Sequence, residues 1–293
     1  MRTYDMQASP RVYPGQTVKA RLIADHANNS TVQAALRIKV YGLNDRLFDF
    51  EGPSLALAPG ESGILNWTLP DLDGQPIQKI GVALTSGDAR ADGTVFLDYL
   101  RWDGVPLVTL RRPKDPSEFW RKSWVNNVSF FSKNFPSAFR ISQDRGSGII
   151  VCGTREWTDY RVSSEVAVHL GSSAGLAARV QGLRRYYALQ LEAGNKAGLV
   201  KMRDDACTVL AEAPCRWTLE KPINLALEVR GADIVGFAGG ATLHATDDSC
   251  TPFENGGIGL VIAEGALSTD EVHLQPLSEA PVLSERRPSG AEA

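Results

Sequence analysis

Side chains able to do chemistry concentrate between Trp157 and Leu191, where apolar and polar residues alternate most regularly. In an extended chain, successive side chains point to opposite faces. Arg161, Glu165 and His169 then oppose Val162, Val166, Val168 and Leu170. In the next segment Arg179 opposes Leu176, Ala178 and Val180, and in a third Tyr186 and Gln190 oppose Tyr187, Leu189 and Leu191. Lys201, Glu228 and Arg230 on later strands complete a polar face. Guanidinium, ammonium, carboxylate and amide groups on one face suit a hydroxyl-rich ligand, because charged groups make short, oriented hydrogen bonds. Arg179 leads this set, since a planar five-donor fork is a costly choice for a central strand. Glu165 and Glu228 also form the carboxylate pair that glycoside hydrolysis requires, one as acid and one as nucleophile or base.

Other chemistry has less to work with. Asp247 and Asp248, beside Ser249, offer oxygens to calcium, but calcium takes six to eight, and turn formation explains the same cluster. No other cofactor is expected. His26, His169, His244 and His273 are scattered, and there is no nucleophile elbow, phosphate loop, metalloprotease helix or dinucleotide fingerprint. Cys152, Cys207, Cys215 and Cys250 lack zinc-ligand spacing and read as reduced, mostly buried thiols.

The elements that position these residues are all strands. From Val18 to Leu110, runs such as VKARLIA, ALRIKVYG (Leu36, Ile38 and Val40 inward), ILNWTLP and GTVFLDYLRWDG alternate with turn signals at roughly ten-residue intervals. This is the pattern of a β-sandwich. Trp67 and Trp102 read as core. The length of 293 residues and hydrophobic content of 43% favour two domains. Residues 1–112 are expected to form one sandwich, 113–117 a proline-containing linker, 118–276 a second sandwich and 277–293 a disordered tail. Trp120 and Trp124, just past the linker, are expected to anchor packing. The fold class is therefore all-β, two antiparallel sandwiches in tandem. A net charge of −3 gives no footprint for nucleic acid. Neither a signal peptide nor a membrane-spanning run is present, so the chain as it stands reads as cytoplasmic, or as secreted if it is a fragment.

Tyr13-Pro14-Gly15 and Val95-Phe96-Leu97-Asp98-Tyr99-Leu100 make the first half resemble the galactose-binding-like jelly roll of many carbohydrate-binding modules. The Trp157-x-Asp159-Tyr160, Gly175-Leu176, Tyr187-x-Leu189-x-Leu191, Leu225-x-Leu227-x-Val229 and Gly257-Ile258-Gly259-Leu260 cues resemble a concanavalin A-like (laminin G-like) sandwich. The ExDxE strand motif of concanavalin-like glucanases is absent, which favours binding over cutting. The order of the two modules is similar to the C-terminal accessory region of bacterial ADP-ribosylglycohydrolase-family proteins. That resemblance implies a non-catalytic module that recognises a glycan, or a glycosylated or ADP-ribosylated partner, beside a covalently linked catalytic domain. The alternative is a glycan-acting hydrolase using Glu165 and Glu228.

Overall fold

The computed structural model describes residues 10–87, 90–116 and 118–277. Among these the chain is antiparallel β-structure almost throughout, as the alternation predicts. The expected tail lies, apart from Leu277, outside the described residues. The first sandwich is built from β1 (Thr17–Ala24), β2 (Val32–Tyr41), β3 (Leu47–Leu57), β4 (Ser62–Thr68), β5 (Ile77–Thr85) and β6 (Val95–Asp103). One sheet has the order β4-β1-β6 and the other β3-β2-β5. Val18, Ala20, Leu22 and Ala24 of β1 meet Leu36, Ile38 and Val40 of β2 in one core, with half-buried Trp67 and Trp102 packed against it. Each fully buried Leu or Ile here contributes about 1.5–3 kcal/mol of burial energy.

β7 (Val108–Arg111) falls within the expected first domain by sequence, yet it hydrogen-bonds to β20 (Glu271–Pro276) of the second sandwich. Its alternation explains this: Val108 and Leu110 enter the second core, while Thr109 and Arg111 face out. A single helical turn, α1 (Phe119–Lys122), then brings Trp120 and Trp124 edge-on against Phe139, at centroid distances of 5.6 and 5.1 Å. Both tryptophans are buried, as their anchoring role requires.

The remaining strands are β8 (Val125–Asn127), β9 (Phe130–Phe131), β10 (Phe139–Cys152), β11 (Tyr160–Leu170), β12 (Ser173–Gly182), β13 (Arg185–Glu192), β14 (Lys196–Arg203), β15 (Ala206–Pro214), β16 (Ile223–Arg230), β17 (Asp233–Ala238), β18 (Ala241–Thr246) and β19 (Gly257–Thr269). One layer runs β15-β14-β13-β12-β19-β10, and the other β7-β20-β11-β16-β17-β18. The first part of β11 pairs with β16 and β20, and its last residues pair with β19, so β11 stitches the layers together. Between the layers lie Val162, Val166, Val168, Leu176, Ala178, Tyr187, Leu189, Leu191, Leu225, Leu227 and Val229. Leu170 departs from the expected face and is 64% exposed, because a register shift between Val168 and Leu170 interrupts the alternation. None of the four cysteines is in a disulfide, and only two follow the expectation of burial: Cys152 and Cys215 are buried, whereas Cys207 and Cys250 are exposed.

The sandwiches are joined by aromatic contacts. The Tyr13 ring packs edge-on against Trp157 at 5.0 Å, and its hydroxyl accepts the Gly153 N–H at 3.1 Å. Tyr41 stacks on Phe119 at 4.3 Å. Gly15 follows at φ +83°, where a side chain would also strike the Leu107 backbone 2.4 Å away. Only glycine suits that turn.

Candidate functional site

The expected polar face does not survive as one surface; its residues fall into three places. Arg179 is 1% exposed and sits inside the sandwich. Register shifts follow Ala177 and Ala178, and Arg179 itself adopts φ +48°. The bulge turns its side chain inward and sends Val180 to the outer side, into a cluster with Ile149 and Tyr186. Its guanidinium donates to the carbonyls of Thr158 (3.1 Å), Gly231 and Phe253 (2.8 Å) and to the Asp159 carboxylate (3.1 Å). Its N–H donates to the Tyr160 hydroxyl at 2.6 Å. Arg179 ties the loops at one end of the sandwich with four of its five guanidinium donors and is enclosed there, away from any ligand surface.

Lys201 is likewise interior, opposite Tyr187 in the β13–β14 register. Its ammonium donates to Asp247, to the Ser249 hydroxyl (2.8 Å) and to the Thr251 carbonyl (2.8 Å). The Tyr187 hydroxyl also donates to Asp247. Burial works against the Asp247 charge, but hydrogen bonds from Lys201, Ser249 and Tyr187 outweigh it and draw its pKa down to about 2. The carboxylate considered for calcium is thus already neutralised by a protein cation, while Asp248 is exposed. Among the described residues, no group of three or more His, Cys, Asp or Glu side chains could hold a metal ion. Tyr186 is 3% exposed in the apolar cluster on the outer side of β13, and burial pushes its hydroxyl up to about 12. Half-buried Gln190 lies on the same side, opposite Gly175 and Gly198. Arg230 is exposed at the end of β16.

Glu165, His169 and Glu228 do share the outer face of the other layer. The acid pair fails on spacing, because Glu228 stands opposite Arg161, four residues along β11 from Glu165. At about 3.3 Å per residue that is roughly 13 Å, beyond the carboxylate separations of glycosidases. Glu228 is also ion-paired to Arg161, whose guanidinium lies 5.0 Å over the Phe237 ring.

Around Glu165 and His169 the fold builds a cleft of about 280 Å³, lined by Ser137, Glu165, Ala167, Pro222, Ser268, Thr269, Asp270, Glu271 and His273. The floor is the seam where β11 passes from β20 to β19. Glu165 is exposed, with no ion pair or hydrogen bond among the described residues. Glu271 faces His273 at 3.5 Å, and the His273 ring bonds the Thr109 hydroxyl of β7 at 3.0 Å. The His169 ring bonds the Ser268 hydroxyl at 2.8 Å. Burial and the positive charge of Arg140 hold His169 below its usual pKa, so it is neutral at neutral pH. One wall is pinned by Asp270, which accepts the Ala138 N–H at 3.0 Å, and by Arg112, which donates to the carbonyls of Phe135 and Ser137 at 2.8 and 3.0 Å. Sequence reasoning missed the β20 contribution, although EVHLQP alternates cleanly: Val272 and Leu274 are buried, and Glu271 and His273 face out.

No family model and no curated protein matches the chain. Solved structures similar to it include the carbohydrate-binding module CBM66 from Bacillus subtilis, at 17% identity and TM-score 0.47, covering 52% of this chain and 94% of that one. A Bacillus subtilis protein of unknown function with a galectin-like fold matches at 14% identity and TM-score 0.43, over 55% of this chain and 92% of that one. The Caenorhabditis elegans galectin LEC-6 matches at 13% identity and TM-score 0.34, over 50% and 94%.

Proposed function

We propose that this protein is a non-catalytic glycan-binding module whose ligand sits in the cleft over β11 and β20. The observation that carries the reading is the cleft's lining: carboxylates of Glu165 and Glu271, hydroxyls of Ser137 and Ser268, the His273 ring, and the apolar surfaces of Ala167 and Pro222, all around one opening. Sugar hydroxyls are donors and acceptors at once. Carboxylates accept from two of them, serine hydroxyls serve either role, and the apolar floor meets the C–H face of the ring. A volume of about 280 Å³ is close to the lower end for ligand pockets, so it suits one sugar unit at a time. In the wider reading drawn from the sequence resemblance, the module holds a glycan-bearing partner beside a linked catalytic domain.

A glycan array followed by calorimetry tests this. Glu165→Gln is expected to weaken binding of the best saccharide at least 10-fold, the loss of a charged acceptor. Binding to no saccharide, or identical affinities for wild type and Glu165→Gln, refutes the assignment. Arg179, enclosed in the fold with four of its five guanidinium donors engaged, is not a test of binding.

A further inference from the structure

Beyond the cleft, the same face carries a cation that, among the described residues, is paired with no acid. Arg140 on β10 stands opposite Ser268 on β19, and Ser268 stands opposite Ala167 on β11. Phe139 and Ile141, its neighbours along β10, are buried in the core, so Arg140 is on the outer side with Ala167 and Ser268. The three side chains form one row, and cross-strand neighbours lie about 4.5–5.5 Å apart. Arg140 is therefore roughly 10 Å from the Ala167 floor, about one further sugar unit along.

Its surroundings are arranged to hold the guanidinium rather than to neutralise it. The group lies over the Phe135 ring, 4.7 Å from the centroid, and Phe135 contacts His169 edge-on at 6.0 Å. The loop carrying Phe135 is fixed by Arg112 through its own carbonyls. Among the described residues the Arg140 side chain makes no hydrogen bond and no ion pair, and its Nη1 is buried without an acceptor. The acid that it feels is Glu220, an exposed residue that forms no ion pair with it. A half-buried guanidinium set over an aromatic ring, with no acid paired to it among the described residues, fits a carboxylate or another oxyanion through the donors other than the enclosed Nη1.

We propose that Arg140, seated on Phe135, is a subsite for an anionic substituent of the bound glycan, a uronate carboxylate or a sulfate ester, one sugar unit beyond the cleft. This rests on the glycan-binding reading above, and it narrows the ligand from saccharides in general to acidic ones. The neutral sugar unit engages Glu165 and Glu271, and the charged unit engages Arg140.

The experiment compares three oligosaccharides of equal length, one neutral, one uronate-containing and one sulfated, by calorimetry against wild type, Arg140→Met, Arg140→Lys and Glu165→Gln. Wild type is expected to bind at least one acidic ligand 10-fold or more tightly than the neutral one, and the arm that gains identifies carboxylate or sulfate. Arg140→Met should bring that ligand down to the neutral affinity while leaving the neutral affinity unchanged. Arg140→Lys, which keeps the charge without the fork, should retain part of the preference, and raising the salt should shrink it in wild type. Equal binding of neutral and acidic ligands by wild type, or a preference that persists in Arg140→Met, overturns the subsite and leaves the glycan reading standing. Binding of none of the three by wild type overturns both.

Discussion

Replacing Lys201 by methionine separates a structural role from a ligand-binding one. The Lys201 and Asp247 side chains are 8% and 3% exposed, so their charges meet out of water. Methionine matches the length of the stem but removes the ammonium that serves Asp247, Ser249 and Thr251. The Asp247 carboxylate would keep only the Tyr187 hydroxyl and the Ser249 N–H, at 3.1 Å, as donors. Breaking a buried pair on one side costs about 3–5 kcal/mol, or roughly 10 °C in melting temperature for a domain of this size. The pH dependence makes the test sharper. A folded-state pKa of about 2 against an ordinary 3.8 is worth about 2 kcal/mol. Because that pKa is depressed, the contribution is present above about pH 4 and is lost as the pH falls towards 2. Of the hydrogen bonds that depress this pKa the one from Lys201 is the largest, so without it the stability gap between wild type and variant should narrow by up to about 2 kcal/mol between pH 7 and pH 2. Urea unfolding followed by circular dichroism across that range measures it. A loss below about 1 kcal/mol at pH 7, or a gap that does not change with pH, refutes the argument. Saccharide affinity of the folded variant should equal that of wild type, since none of the groups that Lys201 holds lines the cleft.

Arg179→Met should lower stability by about 3–5 kcal/mol, because it leaves three loop carbonyls and the Asp159 carboxylate without their donor; a thermal melt within 2 °C of wild type contradicts this. Tyr13→Phe keeps the ring contact with Trp157 but strips the half-buried Gly153 N–H of its acceptor, for a loss of about 1 kcal/mol by denaturant unfolding. The same variant should leave saccharide affinity unchanged.

Where strands alternate without interruption, their burial was legible in the residues. Leu36, Ile38 and Val40 face inward, as do Val162, Val166, Val168, Tyr187, Leu189 and Leu191, because a period of two allows no other choice once one face is apolar. Arg179 was hidden by a single irregularity. One bulge reverses the facing of every residue behind it, and nothing in Ala177-Ala178-Arg179-Val180 announces it. Lys201 was hidden differently. Counting outward from the Gly194–Asn195 turn pairs Lys201 with Tyr187 and places it inside, but a charge there is tolerable only because Asp247 arrives from a distant strand. The cleft was half legible. Glu165, and His169 beside the cleft, follow from their own strand, whereas Ser268 and Glu271, and Arg140 beyond the cleft, join them only through the β10-β19-β11 pairing and the turn into β20, which are long-range register and have no local signal.

The first sandwich bears on the cleft through the same strand that carries the chain into the second. β7 lies along β20, so Thr109 holds the His273 ring, and Arg111 reaches Asp73 at 2.9 Å in the first sandwich and Glu271 at 3.8 Å in the second. The next residue, Arg112, fixes the wall that carries Ser137 and Phe135. Three residues of one short stretch, Thr109, Arg111 and Arg112, therefore orient groups on two sides of the candidate site. The Tyr13-Pro14-Gly15 turn, which made the first half look like an independent jelly roll, packs against Trp157 and Gly153 of the second sandwich. Neither set of contacts is what two beads on a flexible linker would build. The first sandwich acts as a brace for the cleft through Asp73, which holds Arg111 beside Glu271, while it presents none of the cleft's own lining residues.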